Sequence, residues 1–128
     1  MGQVLIVDDD LMFRRVLCRA IQNDGFSVIS AASATEALEM IERSLPRLVL
    51  VDLRMPDMNG MHLLRILRAN PATATIPVAT FTAAVTDEVL REASALGVVA
   101  VLEKVKFSLA EFRDLVRAQL AMQKAPAA

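Results

Sequence analysis

The sequence predicts an α/β fold in which a parallel sheet of five strands is covered by five helices. Short apolar runs alternate five times with longer amphipathic segments along the 128 residues, and several of the runs contain no polar residue. A strand that is apolar at every position is buried on both faces, which is typical of parallel sheets. Consecutive strand–helix units connect through right-handed crossovers, so we expect helices on both sides of the sheet.

The predicted strands are the short apolar runs, and each predicted helix follows a strand. The strands are Val4–Val7, Val28–Ile29, Leu48–Val51, Ile76–Phe81 and Val98–Leu102. In the segments between them, apolar residues recur every three or four positions, which indicates one buried helix face. The helices are Leu11–Asn23, Ala34–Leu45, Met61–Leu67, Thr86–Leu96 and Ser108–Met122.

Residues with local conformational preferences mark the helix ends. Ser33, Thr86 and Ser108 precede three of the helices, where a hydroxyl accepts hydrogen bonds from free backbone amides. Gly25 and Gly97 come just after two helices, where glycine adopts the left-handed conformation that ends a helix. These signals support the alternation of strands and helices.

The composition predicts one domain over residues 1–122, with residues 123–128 as a flexible tail or a linker stub. A net charge of −1 gives no electrostatic reason to bind nucleic acid or an anionic membrane. The single cysteine, Cys18, excludes an internal disulfide and suits a reducing compartment. The start of the chain lacks the basic and long apolar segments of a signal peptide, and no apolar run approaches the roughly 20 residues that span a bilayer. We therefore expect a cytoplasmic protein.

Polar residues that carry chemistry follow the predicted strands. Asp8 and Asp9 come after the first strand, Asp52 after the third, Thr82 after the fourth and Lys104 after the fifth. Ligands of open parallel sheets bind at the carboxyl ends of the strands, so we expect these side chains to meet at one edge.

This set of residues indicates phosphoryl transfer with a magnesium ion. Several carboxylates in one cleft repel each other unless a cation neutralises them, and an oxygen-only site suits Mg²⁺. The Asp52 carboxylate is a nucleophile toward phosphorus, and Lys104 and Thr82 stabilise the charge of the transferring oxygens.

Four motifs in order resemble the response-regulator receiver domain of two-component signalling, in its chemotaxis-regulator-like form. They are the acidic start Val4–Asp10, the phosphoacceptor segment Leu48–Gly60 with its Met-Pro pair, the fourth strand Ile76–Ala83, and Glu103-Lys104. The resemblance covers nearly the whole chain. It implies a flavodoxin-like, doubly wound α/β fold with strand order 2-1-3-4-5.

The resemblance also implies a role for each matching residue. Asp52 would be the phosphoacceptor, and Mg²⁺ would be held by Asp8, Asp9, Asp52 and the backbone carbonyl of Arg54. The switch and phosphoryl-binding residues would be Thr82, the small Ala83 after it, and Lys104. The donor would be a histidine kinase or a histidine phosphotransfer protein, and the recipient of the signal a downstream protein or a missing output domain.

Two positions depart from the family pattern. Val105 stands where the family usually has proline after the lysine, so we expect a trans peptide there. Val101 replaces the aromatic residue whose ring packs inward in family members when the threonine moves. We therefore expect this movement of a ring, which reports phosphorylation, to be absent or altered. The fifth strand also lacks the acidic residues of many DNA-binding relatives. Its apolar residues are compatible with an apolar homodimer contact through the last helices and this strand, and a strand buried within the domain explains them equally well.

The leading hypothesis is a phosphorylation-dependent signalling switch that catalyses only its own phosphorylation and slow dephosphorylation. The alternative is a pseudo-receiver, a protein-binding module that is not phosphorylated, which Val101 and Val105 favour. An aspartyl-nucleophile phosphatase is excluded because Arg54 occupies the position where such enzymes carry a second aspartate. The four scattered glycines provide no phosphate-binding loop of a nucleotide-dependent enzyme.

Overall fold

A computed structural model describes residues 3–55 and 57–123 of the chain. The strands are β1 (Val4–Val7), β2 (Val28–Ala31), β3 (Leu48–Asp52), β4 (Val78–Thr82) and β5 (Ala100–Glu103). The helices are α1 (Leu11–Asn23), α2 (Ala34–Arg43), α3 (Gly60–Ala69), α4 (Asp87–Ala95) and α5 (Leu109–Met122). All strand pairs are parallel, in the order β2-β1-β3-β4-β5, which confirms the predicted fold.

Strands β4 and β5 begin two residues later than predicted. The amide of Ile76 donates to the carbonyl of Thr73 in a turn, and Pro77 has no amide to donate to the sheet. The amide of Val98 donates to the carbonyl of Ala93 and so belongs to the end of α4. In both places the apolar run of the sequence continues through the loop that leads into the strand.

The core lies on both faces of the sheet. On one face, α2, α3 and α4 pack against the strands through residues such as Ile41, Leu64 and Ala93. On the other, α1 and α5 pack through residues such as Leu17 and Val116. Strands β1, β3 and β4 are buried along their whole length because they lie inside the sheet. Each fully buried large apolar side chain contributes about 1.5–3 kcal/mol, so this double layer provides most of the stability.

An aromatic cluster fills the α1/α5 face next to the carboxyl ends of the strands. It contains Phe13, Phe81, Phe107 and Phe112, with ring centroids 5.3–6.2 Å apart. Phe81 is fully buried at its centre, as expected for a core residue.

The helix ends follow the sequence signals. The side chains of Ser33, Thr86 and Ser108 each accept a hydrogen bond from a backbone amide of the first helical turn. Gly25 and Gly97 have φ angles of +89° and +69°, the left-handed region that favours glycine. These predicted caps are confirmed.

Gln123 is held to the domain at the end of α5, although the sequence places it in the tail. Its side chain donates to the carbonyl of Arg47, and the Arg47 guanidinium donates to the carbonyl of Leu120. The rest of the predicted tail, residues 124–128, lies outside the described residues. Among the helices that the structure describes, none is long and apolar enough to cross a bilayer.

Gly60 brings the start of α3 against the end of β3. A Cβ atom at this position would lie 2.3 Å from the carbonyl oxygen of Asp52 and 2.8 Å from the Cα of Leu53. Both neighbours are backbone atoms and cannot rotate away, so any larger residue must displace α3 from the strand.

We predict that Gly60→Ala lowers the free energy of unfolding by about 2 kcal/mol, the usual cost of overpacking a filled site. Gly97→Ala is the control: nothing lies within 4 Å of its added Cβ, and the left-handed backbone alone costs about 1 kcal/mol. Urea unfolding measures both variants. Equal losses would show that α3 adjusts freely and that the close approach is not a constraint.

Candidate functional site

The order of the strands brings the predicted site residues to one edge of the sheet. Strand β3 pairs with β1 on one side and with β4 on the other, and the three strands end together. Asp8 follows β1 directly, Asp52 is the last residue of β3 and Thr82 is the last residue of β4. The next edge strand, β5, ends beside Thr82 and places Lys104 at the same edge, where its amide donates to the carbonyl of Thr82.

Three carboxylates form the centre of the site. Asp8, Asp9 and Asp52 each offer an oxygen, and these oxygens all lie within 4.8 Å of one another. Asp8 is fully buried and Asp52 is 4% exposed, whereas Asp9 faces solvent. Burial raises the pKa of the Asp8 carboxyl above its ordinary value, and the nearby Asp52 raises it further. The site therefore concentrates negative charge where water cannot stabilise it.

Lys104 neutralises the two buried carboxylates. Its Nζ lies 2.9 Å from Oδ2 of Asp8 and 3.1 Å from Oδ2 of Asp52, to which it donates a hydrogen bond. Burial disfavours the charged amine, but the two carboxylates outweigh burial and raise the pKa of Lys104. The lysine therefore stays charged, and Val105 has not turned it away from the site.

The backbone after Lys104 has the trans conformation that the sequence predicts. Every described peptide bond is trans, including the one between Lys104 and Val105. The Val105 side chain is 84% exposed, so it contacts little of the domain. The substitution of the usual proline thus leaves the lysine in place.

Phe13 contacts the other side of the lysine, a role that the sequence does not predict. The Lys104 Nζ lies 4.6 Å from the centre of the Phe13 ring, which is close enough for a cation–π interaction. Phe81 and Phe107 meet the Phe13 ring edge to face and fix its orientation. In the sequence, Phe13 appears only as one of the apolar residues of α1.

Donors and acceptors in this cleft fit a hard cation. Oδ2 of Asp8 is buried and accepts no aligned hydrogen bond among the described residues. Its other oxygen accepts from the amide of Asp10, which fixes the orientation of the carboxylate. An oriented, buried carboxylate whose Oδ2 is paired only with the Lys104 ammonium, beside two more carboxylates, provides the oxygen ligands that Mg²⁺ prefers. The acidic cluster is therefore compatible with a metal site.

Thr82 is at the site but its hydroxyl does not face Asp52. The Thr82 Oγ1 donates to the carbonyl of Ala84, 3.0 Å away. Ala83 is exposed between them, in the loop that leads to α4. The hydroxyl is thus engaged by its own loop and must leave Ala84 before it can contact a group on Asp52.

Arg54 lies two residues after Asp52, on the loop that follows β3. Its amide donates to Oδ1 of Asp52 over 3.2 Å, and its side chain is exposed. A cleft of about 490 Å³ opens between the loops after β3 and β4, lined by Arg54, Met55, Thr82 and Ala83 among others. The cleft is thus lined by residues of the loops that follow Asp52 and Thr82, and not by Asp52 itself.

Val101 packs under α4 and contributes no ring to the switch region. It is half-buried in the cluster formed by α2, α3 and α4, where the family usually has an aromatic residue. Strand β5 is at the edge of the sheet, and Val99 before it is 40% exposed. The apolar run that the sequence shows here is therefore only partly buried by the domain itself.

Comparison with known proteins agrees with this geometry. A family model for the response regulator receiver domain matches residues 4–117. The sporulation initiation phosphotransferase F of Bacillus subtilis is 30% identical over 121 residues, which cover 94% of this chain and 95% of that protein. A putative response regulator from Chloroflexus aurantiacus has a similar structure, with 29% identity, a TM-score of 0.84 and coverage of 94% of this chain and 99% of the other.

Longer relatives match over part of their length. The DNA-binding response regulator MtrA of Mycobacterium tuberculosis is 36% identical over 81 residues, which are 63% of this chain and 34% of that protein. The chain thus spans about a third of this DNA-binding relative.

We predict that Asp8→Asn raises the free energy of unfolding in the presence of EDTA at pH 7. Because the pKa of Asp8 is raised, the folded protein binds its proton more tightly than the unfolded chain does, and ionisation at neutral pH destabilises the fold. The gain should shrink as the pH falls toward the ordinary carboxyl pKa of 3.8. Urea unfolding at several pH values measures it.

Asp24→Asn is the matched control and should lower the free energy of unfolding at pH 7. Arg113 lowers the pKa of Asp24, so the ionised carboxylate stabilises the fold above its unfolded pKa and loses this effect in acid. A loss of stability in both variants would contradict our account of Asp8.

Proposed function

The chain belongs to the response regulator receiver domain family, and from this premise we propose that it is a signalling switch that accepts a phosphoryl group on Asp52. The observation that supports this most directly is the convergence of Asp8, Asp9 and Asp52 with Lys104 at one edge of the sheet. Receiver domains are signalling modules rather than enzymes. This one would catalyse only its own phosphorylation and slow dephosphorylation.

In the proposed transfer, an oxygen of Asp52 attacks the phosphorus of a phosphohistidine. The new bond joins Oδ of Asp52 to phosphorus, and the phosphorus–nitrogen bond breaks with its electron pair returning to the imidazole of the donor. Lys104 pairs with the transferring oxygens and compensates the charge that develops on them. The Lys104 ammonium lies 3.1 Å from Oδ2 of Asp52, which supports this role.

Asp8, Asp9, Asp52 and the backbone carbonyl of Arg54 would hold Mg²⁺ in this cleft. When bound, the ion neutralises the carboxylates and stabilises negative charge on the phosphoryl oxygens. Asp8 would contribute a buried, oriented oxygen and Asp9 an exposed one. The ion would therefore displace more water from Asp9 than from Asp8.

Thr82 and Ala83 would carry the signal away from Asp52. The Thr82 hydroxyl would leave the carbonyl of Ala84 and donate to a phosphoryl oxygen, and the loop after β4 would follow. A small residue at Ala83 leaves room for the phosphoryl group beside the loop. Phosphorylation would bias an equilibrium between two loop positions rather than create a new one. Val101 cannot supply a moving ring, so the readout would depend on the loop and α4.

The partners that we propose are those of a two-component pathway in the cytoplasm. Response regulators interact with histidine kinases and phosphotransfer proteins, and either would be the donor here. The recipient would be a downstream protein, or an output domain in a longer chain. We propose neither direct binding of nucleic acid nor binding to a membrane. A homodimer through α5, α4 and β5 is supported by the exposed apolar side chains of Leu90 and Val99.

We predict that the protein gains about 80 Da, one phosphoryl group, on incubation with Mg²⁺ and a small acyl phosphate. Asp52→Asn should not gain this mass, whereas Asp114→Asn, which removes an exposed carboxylate on α5, should gain it as the parent does. Intact-mass spectrometry measures the mass of the parent and of both variants.

The alternative, a pseudo-receiver that is not phosphorylated, makes the opposite prediction. No mass gain with any donor, together with no effect of Mg²⁺ on thermal unfolding, would favour that alternative. Mass gain in Asp52→Asn would instead move the phosphoacceptor to another residue.

We predict that Thr82→Ala is still phosphorylated but no longer passes the change to the loop after β4. Without the hydroxyl, nothing pulls Ala83 and Ala84 toward Asp52. Amide NMR shifts of these two residues on phosphorylation should be large in the parent and largely lost in the variant. Thr82→Ser keeps the hydroxyl and should retain them. Equal shifts in Thr82→Ala and the parent would remove Thr82 from the switch.

A further inference from the structure

The loop between β3 and α3, residues 53–59, is anchored at both of its ends. At its start, the amide of Leu53 donates to the carbonyl of Phe81, and the amide of Arg54 donates to Asp52. At its end, the amide of Gly60 donates back to the carbonyl of Leu53. These bonds close the loop but do not tie its middle to any other element.

Asp57 ties the middle of this loop to the first turn of α2. Its carboxylate accepts three hydrogen bonds: from the amide of Ala34 at 3.3 Å, from the amide of Thr35 at 3.1 Å and from the Thr35 hydroxyl at 2.8 Å. Among the described residues, these are the only hydrogen bonds that join positions 55–58 to another element. The loop and α2 are 22 and 23 residues apart at these contacts, so the link is tertiary rather than local.

The end of α2 that Asp57 holds is the end next to Asp8. The amide of Asp8 donates to the carbonyl of Ala31, the last residue of β2, and α2 begins three residues after Ala31. The Asp57 contact therefore spans the carboxyl end of β1, from the loop that carries Arg54 to the segment packed beside Asp8. It joins the two sides of the acidic cleft.

Directional bonds are needed here because the apolar contacts of the loop leave its orientation free. Met55 is buried and Met58 packs partly against the core, so both hold the loop down on the domain. Apolar contacts have no preferred direction, whereas a carboxylate that accepts three hydrogen bonds fixes both distance and angle. The amide of Thr35 and the other donors also lower the pKa of Asp57, which keeps it ionised at neutral pH.

We propose that Asp57 is a positioning residue for the metal site: by holding the loop against α2, it restricts the movement of the Arg54 carbonyl relative to the acidic cluster. This inference rests on the proposed function, in which that carbonyl is a magnesium ligand. Asp57 itself contacts neither the phosphoryl group nor the metal. Loss of its hydrogen bonds leaves the carboxylate ligands in place but makes the position of the carbonyl variable.

The test compares the Mg²⁺ affinity of Asp57→Ala with that of a matched variant, using titration calorimetry on the full chain. Asp24→Ala is the match. It also removes one aspartate that accepts several hydrogen bonds, and it lies at the far end of α1 from Asp8 and Asp9. Both substitutions change the net charge equally, so a general electrostatic effect is common to the two.

We expect Asp57→Ala to raise the dissociation constant for Mg²⁺ about tenfold, within the range for outer-shell partners of metal ligands. Asp24→Ala should match the parent. Asp57→Asn keeps one carbonyl acceptor and should fall between, and Thr35→Val, which removes only the hydroxyl donor, should weaken binding less than Asp57→Ala does. These two milder variants carry the test if Asp57→Ala does not fold.

A second readout separates positioning from general loosening of the fold. Amide hydrogen exchange without metal should speed up in residues 53–59 of the Asp57 variants and stay unchanged in the sheet. Equal Mg²⁺ affinity in Asp57→Ala and Asp24→Ala would overturn the inference while the proposed function stands. Absence of saturable Mg²⁺ binding in the parent would overturn both.

Discussion

The burial of two carboxylates at neighbouring strand ends is the constraint on which the rest of the site depends. Asp8 and Asp52 are almost free of solvent, and two negative charges in such a place are tolerated only if cations or hydrogen bonds compensate them. Lys104 provides the compensating charge and the amide of Asp10 one of the hydrogen bonds. The parallel sheet makes the arrangement possible, since β1 and β3 are adjacent and end at the same level. A fold of lower rigidity would relieve the repulsion by letting the strands separate.

The site connects to the two faces of the domain through different contacts. Toward α1 and α5, Lys104 rests on Phe13 and through it on a packed group of rings. Toward α2, Asp57 accepts hydrogen bonds from the start of the helix, and toward α4 the Thr82 hydroxyl donates a hydrogen bond to the backbone of its own loop. Movement at the site therefore meets packed aromatic rings on one face and directional hydrogen bonds on the other.

Much of the fold and part of the site follow from patterns that are local in the sequence. Alternation of apolar runs with amphipathic segments predicts the sheet, and a residue directly after a strand must lie at its carboxyl end, which brings Asp52 and Lys104 together. Phe13 and Asp57 were not predicted as site residues because their roles depend on partners distant in the chain. In the sequence, Phe13 is one more apolar residue of a helix, and Asp57 is one residue of the Leu48–Gly60 segment with no role assigned to it. The start of β4 was misplaced because Ile76 is apolar and buried without being in the strand.

The position of Lys104 between two carboxylates and an aromatic ring has a consequence for the cost of its movement. A lysine that leaves an ion pair on the surface is rehydrated, and the water must be removed again when the pair reforms. Here the Lys104 side chain is about a quarter exposed, and its ammonium has the electron-rich face of Phe13 on one side and charged oxygens on the other. It can turn from one set of oxygens to another while remaining against the ring. The reorganisation of solvent that normally slows an exchange of counterions is thereby reduced, because the protein itself replaces the hydration shell on that side of the amine.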